Sequence, residues 1–425
     1  MIVDFTIKNF RSIKSEQLLS LHADKKPRHH AGNISYIEGE IGVLRTSAIY
    51  GSNASGKTNI ILAFKALQEL IIRSGDLKDG EPIECYEPYS LSETTKDLPT
   101  RFEIEFYVEK IRYVYHVEYN KKEIIFEKLD FYPTADAARA SNIFTRNSPD
   151  DWKSVKFGER YKGGKKKIAF FANNTYLSKA GNTPDSPEVI RKIFNYFRNN
   201  TKTMLTNHAI RVFDWDEDER TVAIINTFLK KVDLGIEKFS IEKDENVEHF
   251  EFPKEMPEDV QKRFLNELSK KEYFYHSDDN GNLVRFDKNK ESSGTNKLFK
   301  LLPLFIRVLR DGAVLFVDEI EGSFHPHIAE LIIKLFNDPL VNTKNAQLIF
   351  TTHDLSLMES GIMRKDQIYL SEKSIGNGTK LYCLESFDAS LKDNSPFSKW
   401  YDEGRLGAIP KINYHDISDA IKGMF

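Results

Sequence analysis

An α/β fold built around buried parallel strands is what this sequence predicts, and three observations carry the prediction. Val43–Tyr50, Ala313–Val317 and Gln347–Phe350 are short apolar runs that each end in glycine or polar residues, as buried parallel strands do. Helical spacing accompanies them: Ile60, Ile61, Phe64, Leu67, Leu70 and Ile71 share a face after the first run, and Ile328–Phe336 has the same period between the other two. A glycine-rich stretch, Gly51–Thr58, joins the first strand to the first helix.

The elements follow in order. Val3, Phe5 and Ile7 alternate with polar residues and predict a half-buried strand, closed by a turn at Asn9-Phe10-Arg11-Ser12. A second strand is expected over Leu18–Ala23 and a third over Val43–Tyr50, followed by a helix over Asn59–Arg73 that Ser74-Gly75 ends. Phe102–Tyr107, Arg112–Tyr119 and Glu123–Phe131 have the alternation of a meander. Ser186-Pro187-Glu188 combines a cap, a first-turn proline and an acid at the start of a helix that carries Val189, Ile190, Ile193, Phe194 and Phe197 on one face. Asp279-Asn280-Gly281 between Glu272–His276 and Asn282–Phe286 is a hairpin signal. Gln367–Leu370 and Leu381–Leu384 read as late strands. The domain organisation expected is an N-terminal half of a head at 1–75, a mainly β portion at 76–180, a mainly helical insertion at 181–270, and a C-terminal half of the head at 271–425. No internal repeat, long heptad run or low-complexity tract interrupts this plan.

Bulk properties narrow the class. At 425 residues the chain can bury a sizeable core, and 40% hydrophobic against 29% charged residues is a globular balance. A net charge of −3 gives no global basic field for nucleic acid. Cys85 and Cys383 stand far apart, which excludes a disulfide scaffold and a cysteine zinc site and fits a reducing compartment. Neither a signal peptide nor a membrane-spanning run is read, so a cytoplasmic location without membrane contact is expected. Lys153, Lys156, Arg160, Lys162, Lys165, Lys166 and Lys167 make one basic cluster, which offers a contact for nucleic-acid phosphates. A solvated basic loop explains it more simply.

Gly51-Ser52-Asn53-Ala54-Ser55-Gly56-Lys57-Thr58 matches G-x-x-x-x-G-K-[ST] in the strand-to-helix context that gives the motif its meaning. Glycines let backbone N–H groups curl around phosphate oxygens, and the helix N-terminus adds partial positive charge. Lys57 is placed to reach the β- and γ-phosphates of ATP, and Thr58 to hold Mg²⁺. Five apolar residues then deliver Asp318 and Glu319, which suit the Mg²⁺ shell and the general base respectively. His353 closes the next apolar strand, where a γ-phosphate sensor would sit; a lone histidine is otherwise most often a surface or core residue.

Taken together these residues resemble the ABC-type ATPase heads of the SMC, RecF and OLD groups. The resemblance implies a P-loop NTPase of ABC/SMC-head type, with an antiparallel β subdomain and a helical insertion. It also implies that Arg11, Asn53 and Asn59 stand with Gly51, Ser55, Gly56, Lys57 and Thr58 at the nucleotide. Glu291–Lys297 looks like the signature motif of those heads, so Ser293, Gly294 and Thr295 would bind the γ-phosphate of ATP held by a second subunit. Read without the resemblance, the segment is a helix cap ahead of Leu298, Leu301, Leu302 and Phe305. Gly322-Ser323-Phe324-His325-Pro326 would be the D-loop, and His325 with His327 falls short of a metal site.

The motif with Asn59, the signature segment and the tail Glu403–Pro410 resemble the stand-alone RloA/AbiLi-like AAA/ABC ATPases of bacterial phage defence. By that resemblance the chain is an ATP-hydrolysing switch that forms a dimer or larger homo-oligomer through composite ATP sites and controls a separate toxin or nuclease. No second enzyme is expected in the stretch after His353. No Q-loop glutamine can be placed, and the signature lacks the double glycine of transporters. The alternative is a RecF/SMC-like clamp that grips DNA in repair; such a clamp calls for a broad basic face, which the charge pattern does not supply.

Overall fold

Two sheets clasp one helix. The computed structural model describes residues 1–425 except 24–29, 38–40, 134–138, 150, 207–211, 244–251, 253–255, 323–324, 360, 375, 388–390, 393–394, 410–412 and 423–425. The first sheet has seven antiparallel strands in the order Lys156–Phe157, Ser141–Asn147, Ile124–Tyr132, Ile111–Tyr119, Thr100–Val108, Ile2–Lys8 and Gln17–Ser20. The second has six, in the order Thr201–Met204, Val314–Val317, Gln347–Thr351, Thr46–Tyr50, Ile368–Ser374 and Gly378–Cys383; only the last runs antiparallel to its neighbour. This is the mixed α/β plan the sequence predicts.

The helix Lys57–Arg73 lies between the sheets, which explains why adjacent residues such as Ile60 with Ile61 and Ala63 with Phe64 are all buried. Phe64 stacks on Phe316 of the parallel sheet with ring centroids 3.9 Å apart, and meets Phe5 of the antiparallel sheet edge-on at 5.8 Å. The parallel strands are buried on both faces, and their period of two divides the molecule into two cores. Ile49, Val314, Phe316 and Ile349 face the helix and the antiparallel sheet. Ala48, Tyr50, Leu315, Val317, Leu348 and Phe350 face the helices Ser293–Asp311 and Pro326–Asn337. The outer face of the antiparallel sheet carries cross-strand charge pairs, among them Arg112–Glu105 at 2.7 Å and Arg101–Glu118 at 4.0 Å.

Several elements depart from the sequence-based expectation. Val43–Tyr50 is two strands that change sheets at Arg45, whose N–H bonds the Asn33 carbonyl while its own carbonyl accepts from Leu348, both at 2.9 Å; its buried side chain donates to the Asn342 carbonyl at 2.6 Å. Pro187, not Ser186, occupies the cap position of Glu188–Asn199, and the buried Ser186 hydroxyl has no hydrogen-bond partner. Leu384 begins a short helix instead of ending a strand. Thr201–Met204, in a stretch expected to be mainly helical, is a parallel strand of the central sheet. The basic segment supplies a two-residue edge strand, Lys156–Phe157, where lysines discourage pairing with another chain. Among the described residues no helix is long and apolar enough to cross a membrane.

Gln347 stitches the sheets together. Its buried amide accepts from the Ile2 N–H at 2.6 Å and donates to the Ile2 and Leu44 carbonyls at 2.9 and 3.1 Å. Replacing it with leucine strands buried backbone groups, so Gln347→Leu is expected to cost about 3 kcal/mol of unfolding free energy in a denaturant titration. A loss below about 1 kcal/mol would show that the seam is not held this way.

Candidate functional site

The loop Gly51–Gly56 takes its shape from close backbone approach. Gly56 has φ 106°, and a Cβ there would lie 2.1 Å from Thr379 Oγ1; a Cβ at Gly51 would lie 2.3 Å from the Ser371 carbonyl oxygen. The end of the sheet therefore presses on the loop at two positions where only glycine fits. Lys57 is buried and folds back to donate to the carbonyls of Gly51 at 2.8 Å and Ser52 at 3.1 Å. Burial pulls its pKa down to about 8, against the pull of Glu319, Asp318 and Glu321 in the other direction.

Asp318 stands at the end of the neighbouring strand but one and gathers hydroxyls. Thr58 Oγ1 lies 3.0 and 3.2 Å from its two oxygens, Thr351 Oγ1 2.8 Å from Oδ1, and Thr206 Oγ1 3.2 Å from Oδ2. Glu319 follows in a left-handed conformation, φ 53°, with its N–H on Thr351 Oγ1 at 2.8 Å and its carboxylate 3.3 Å from Thr206 Oγ1. That turn leaves the two carboxylates sharing the Thr206 hydroxyl. His353 Nε2 is 3.8 Å from Glu319 Oε1, and the His353 N–H is held by Glu321 at 2.8 Å. Desolvation, followed by the nearby Lys57 charge, lowers the His353 pKa, which favours a neutral ring at pH 7.

The N-terminal turn locks the other flank. Asn59 Nδ2 donates to Ser12 Oγ at 2.6 Å, Ser12 and Thr379 hydroxyls are 2.7 Å apart, and Thr379 donates to the Ser55 carbonyl at 2.8 Å. Arg11 donates to Asn59 Oδ1 at 3.3 Å and pairs with Glu87 at 2.8 Å. Asn53 is exposed at the loop tip, beside a pocket of about 580 Å³ lined by Tyr89, Leu91, Lys373, Ser374 and Gly376. The tail also touches the loop: Ser52 donates its N–H to the Ala408 carbonyl at 3.0 Å, and the Tyr401 hydroxyl donates to the same oxygen at 2.9 Å.

Ser293, Gly294 and Thr295 open the helix Ser293–Asp311, with Ser292 as its cap. Among the described residues no hydrogen bond or ion pair joins these three to Gly51–Thr58 of the same chain; Thr295 bonds back to Ser292 at 2.9 and 3.0 Å. His325 caps Pro326–Asn337, its Nδ1 accepting from the His327 N–H at 3.3 Å, so the histidine pair serves the helix end. Ser323 and Phe324 of the expected D-loop, and Pro410 of the tail, lie outside the described residues.

Sequence reasoning missed Thr206 and the role of Thr351. Thr206 follows an edge strand, Thr201–Met204, whose composition carries little apolar signal; Thr351 is visible only as a polar residue at the end of an apolar run. The donor set at Thr58 and Asp318 consists of oxygens alone. Among the described residues no group of three or more His, Cys, Asp or Glu side chains has metal-binding spacing. That combination fits Mg²⁺, which takes one or two protein oxygens and completes its shell with phosphate and water.

A family profile described as "AAA domain, putative AbiEii toxin, Type IV TA system" matches residues 47–359. A search of curated proteins finds no match. Among solved structures, the SMC head domain from Thermotoga maritima is 14% identical with a TM-score of 0.40, covering 90% of this chain and 98% of that one. The Smc head domain with an extended coiled coil bound to the C-terminal domain of ScpA, derived from Pyrococcus furiosus, is 12% identical with a TM-score of 0.43 and covers 95% and 99%. The transporter component cbiO1 from Clostridium perfringens is 10% identical with a TM-score of 0.27 and covers 95% and 96%.

A Lys57 pKa lowered to about 8 makes phosphate binding pH-dependent. Phosphate charge raises the lysine's proton affinity, so binding above pH 8 takes up a proton and apparent affinity falls between pH 8 and pH 9.5. Calorimetry at pH 8.5 in two buffers of different ionisation enthalpy should report uptake of most of one proton, and Lys57→Arg should abolish it. Equal heats in both buffers for the native chain would contradict the assignment.

Proposed function

Because the chain belongs to the AAA-domain family of the AbiEii-type, type IV toxin–antitoxin description, we propose that it is an ATP-hydrolysing switch that dimerises around ATP and controls a separate toxin or nuclease in anti-phage defence. The observation that carries the ATPase reading is the Thr58 hydroxyl set against both oxygens of Asp318, beside a desolvated Lys57 at a helix N-terminus.

In this reading Lys57 leaves the Gly51 and Ser52 carbonyls for the phosphates, which replace two neutral acceptors with full negative charge. Thr58 and, through water, Asp318 would hold Mg²⁺, which supplies charge neutralisation at the phosphate oxygens. Glu319 takes the proton of the attacking water, its backbone fixed by Thr351 and its carboxylate steadied by Thr206. A neutral His353 can donate to a phosphate oxygen without adding a proton that would compete with that base. Arg11 and Asn59 brace the loop, and the pocket beside Tyr89 and Leu91 gives the nucleoside an apolar wall. Ser293–Thr295, which bond nothing in their own chain's loop, offer helix-terminal N–H groups to ATP held by a second copy. Two copies then enclose two nucleotides, and assembly follows the difference in ATP affinity between the open and closed states.

The decisive measurement is mass by light scattering with and without ATP and Mg²⁺. Glu319→Gln is expected to bind ATP and step up to a dimer or larger while its turnover falls about 10²- to 10⁴-fold. Lys57→Ala should lose ATP binding and stay at its starting mass. His353→Ala should lower turnover while keeping most of the ATP affinity. Normal hydrolysis by Glu319→Gln would remove Glu319 as the base, and a constant mass would mean that ATP does not gate assembly.

A further inference from the structure

Among the described residues three threonine hydroxyls reach Asp318, and one of them has no settled partner. Thr351 Oγ1 donates to Asp318 Oδ1 at 2.8 Å and accepts the Glu319 N–H at 2.8 Å, so both its roles are filled. Thr58 Oγ1 keeps to a single carboxylate, 3.0 and 3.2 Å from the two oxygens of Asp318. Thr206 differs: its hydroxyl lies 3.2 Å from Asp318 Oδ2, 3.3 Å from Glu319 Oε2 and 3.4 Å from the Asp318 carbonyl oxygen. A threonine hydroxyl has one hydrogen to give. A committed O–H bond to a carboxylate closes to about 2.5–2.7 Å, and all three contacts are longer. The hydrogen is therefore divided between two acids and belongs to neither.

The backbone, not this hydroxyl, puts Thr206 beside the acids. Thr201–Met204 pairs in parallel with Val314–Val317, and the Met204 carbonyl accepts the Asp318 N–H at 2.9 Å. Thr206 stands two residues beyond that bond. Loss of its hydroxyl therefore leaves the strand pairing in place. The two oxygens of Asp318 are also held unequally. Thr351 holds Oδ1 at 2.8 Å, whereas Oδ2 meets Thr58 and Thr206 only at 3.2 Å. Of the two, Oδ2 is the oxygen that can turn to a new partner at least cost.

We propose that Thr206 is a positioning residue whose hydrogen passes to Glu319 alone when Mg²⁺ occupies the site at Thr58 and Asp318. The inference rests on the ATPase reading above and adds a condition to it: the base is held in place only once the metal is bound. Asp318 that turns Oδ2 toward the water shell of a cation becomes a poorer acceptor, because its charge is already engaged. Glu319 keeps its full charge, and the Thr206 hydrogen follows that charge. The Glu319 carboxylate then has one short bond in place of a long shared one, which fixes its direction toward the attacking water. Before the metal arrives, the same hydroxyl ties Glu319 loosely to Asp318, and the base is not aimed.

The first test is structural: crystals of the full chain grown with a non-hydrolysable ATP analogue, with and without Mg²⁺. With the metal, Thr206 Oγ1 should close to about 2.7 Å from the Glu319 carboxylate and lie beyond about 3.5 Å from Asp318 Oδ2. Without it the shared arrangement should remain. The second test is kinetic. Thr206→Val should lower kcat about 10- to 100-fold with the KM for ATP unchanged within about twofold, and Thr206→Ser should restore most of the loss. Added to Glu319→Gln, Thr206→Val should lower turnover by less than about twofold more, because it acts through that base. A hydroxyl that stays on Asp318 with the metal bound overturns the proposal. So does native turnover by Thr206→Val, or a loss that persists in full on top of Glu319→Gln; either leaves the ATPase reading standing. If Glu319→Gln alone hydrolyses ATP normally, the base assignment fails and the role of Thr206 falls with it.

Discussion

Phe64 lies flat against Phe316 and edge-on to Phe5, and much of the molecule is arranged around that contact. A helix that is apolar on two opposite sides can be stable only when both sides are covered, so the parallel and antiparallel sheets must close on it together. Closing them fixes the position of Lys57 at its N-terminus relative to Asp318, which follows Phe316 by two residues. The register between phosphate loop and acids is therefore set in the core, some distance from the atoms that use it. Gln347 reinforces the same closure by bonding the first strand of one sheet to the central strands of the other.

At the site itself charge is concentrated and incompletely balanced. Asp318, Glu319 and Glu321 surround a single buried lysine, and that lysine loses basicity because desolvation outweighs their attraction. Threonine hydroxyls, from Thr58, Thr206 and Thr351, carry much of the load of holding Asp318 in place. Hydroxyls can donate to a carboxylate and later turn to accept from water or face a cation without any change of charge. An arrangement of this kind is suited to a site where highly charged ligands come and go.

The loop is also tied to both distant ends of the chain. Ser12 and Asn59 join it to the N-terminal turn, while Thr379 and Ala408 join it to the last strand and the tail. Each bond is ordinary in strength, about 1 kcal/mol net, yet together they mean that the loop cannot move without disturbing surfaces on several sides. Under the proposed function this is how occupancy of a buried phosphate site becomes legible at a surface where another protein can sense it.

The sequence by itself determined the strand-to-helix setting of the phosphate loop, the meander, and the strand-end positions of Asp318, Glu319 and His353. Those features depend on residue periodicity and on glycine, lysine and acid at fixed spacing, and such signals are local. It also placed Arg11, Asn53, Asn59 and Ser293–Thr295 near nucleotide chemistry, but only by resemblance. What only the tertiary structure decided was long-range. Thr206 reaches Asp318 across 112 positions, Ser12 reaches Thr379 across 367, and Gln347 reaches Ile2 across 345. Nothing in the composition around Thr206 or Ala408 marks them, because a hydroxyl or a backbone carbonyl acquires its role from what packs opposite it. The break at Arg45 was hidden for the same reason: the strand ends there because its N–H and its carbonyl turn to different partners, Asn33 and Leu348, while the Asn342 carbonyl satisfies the buried side chain.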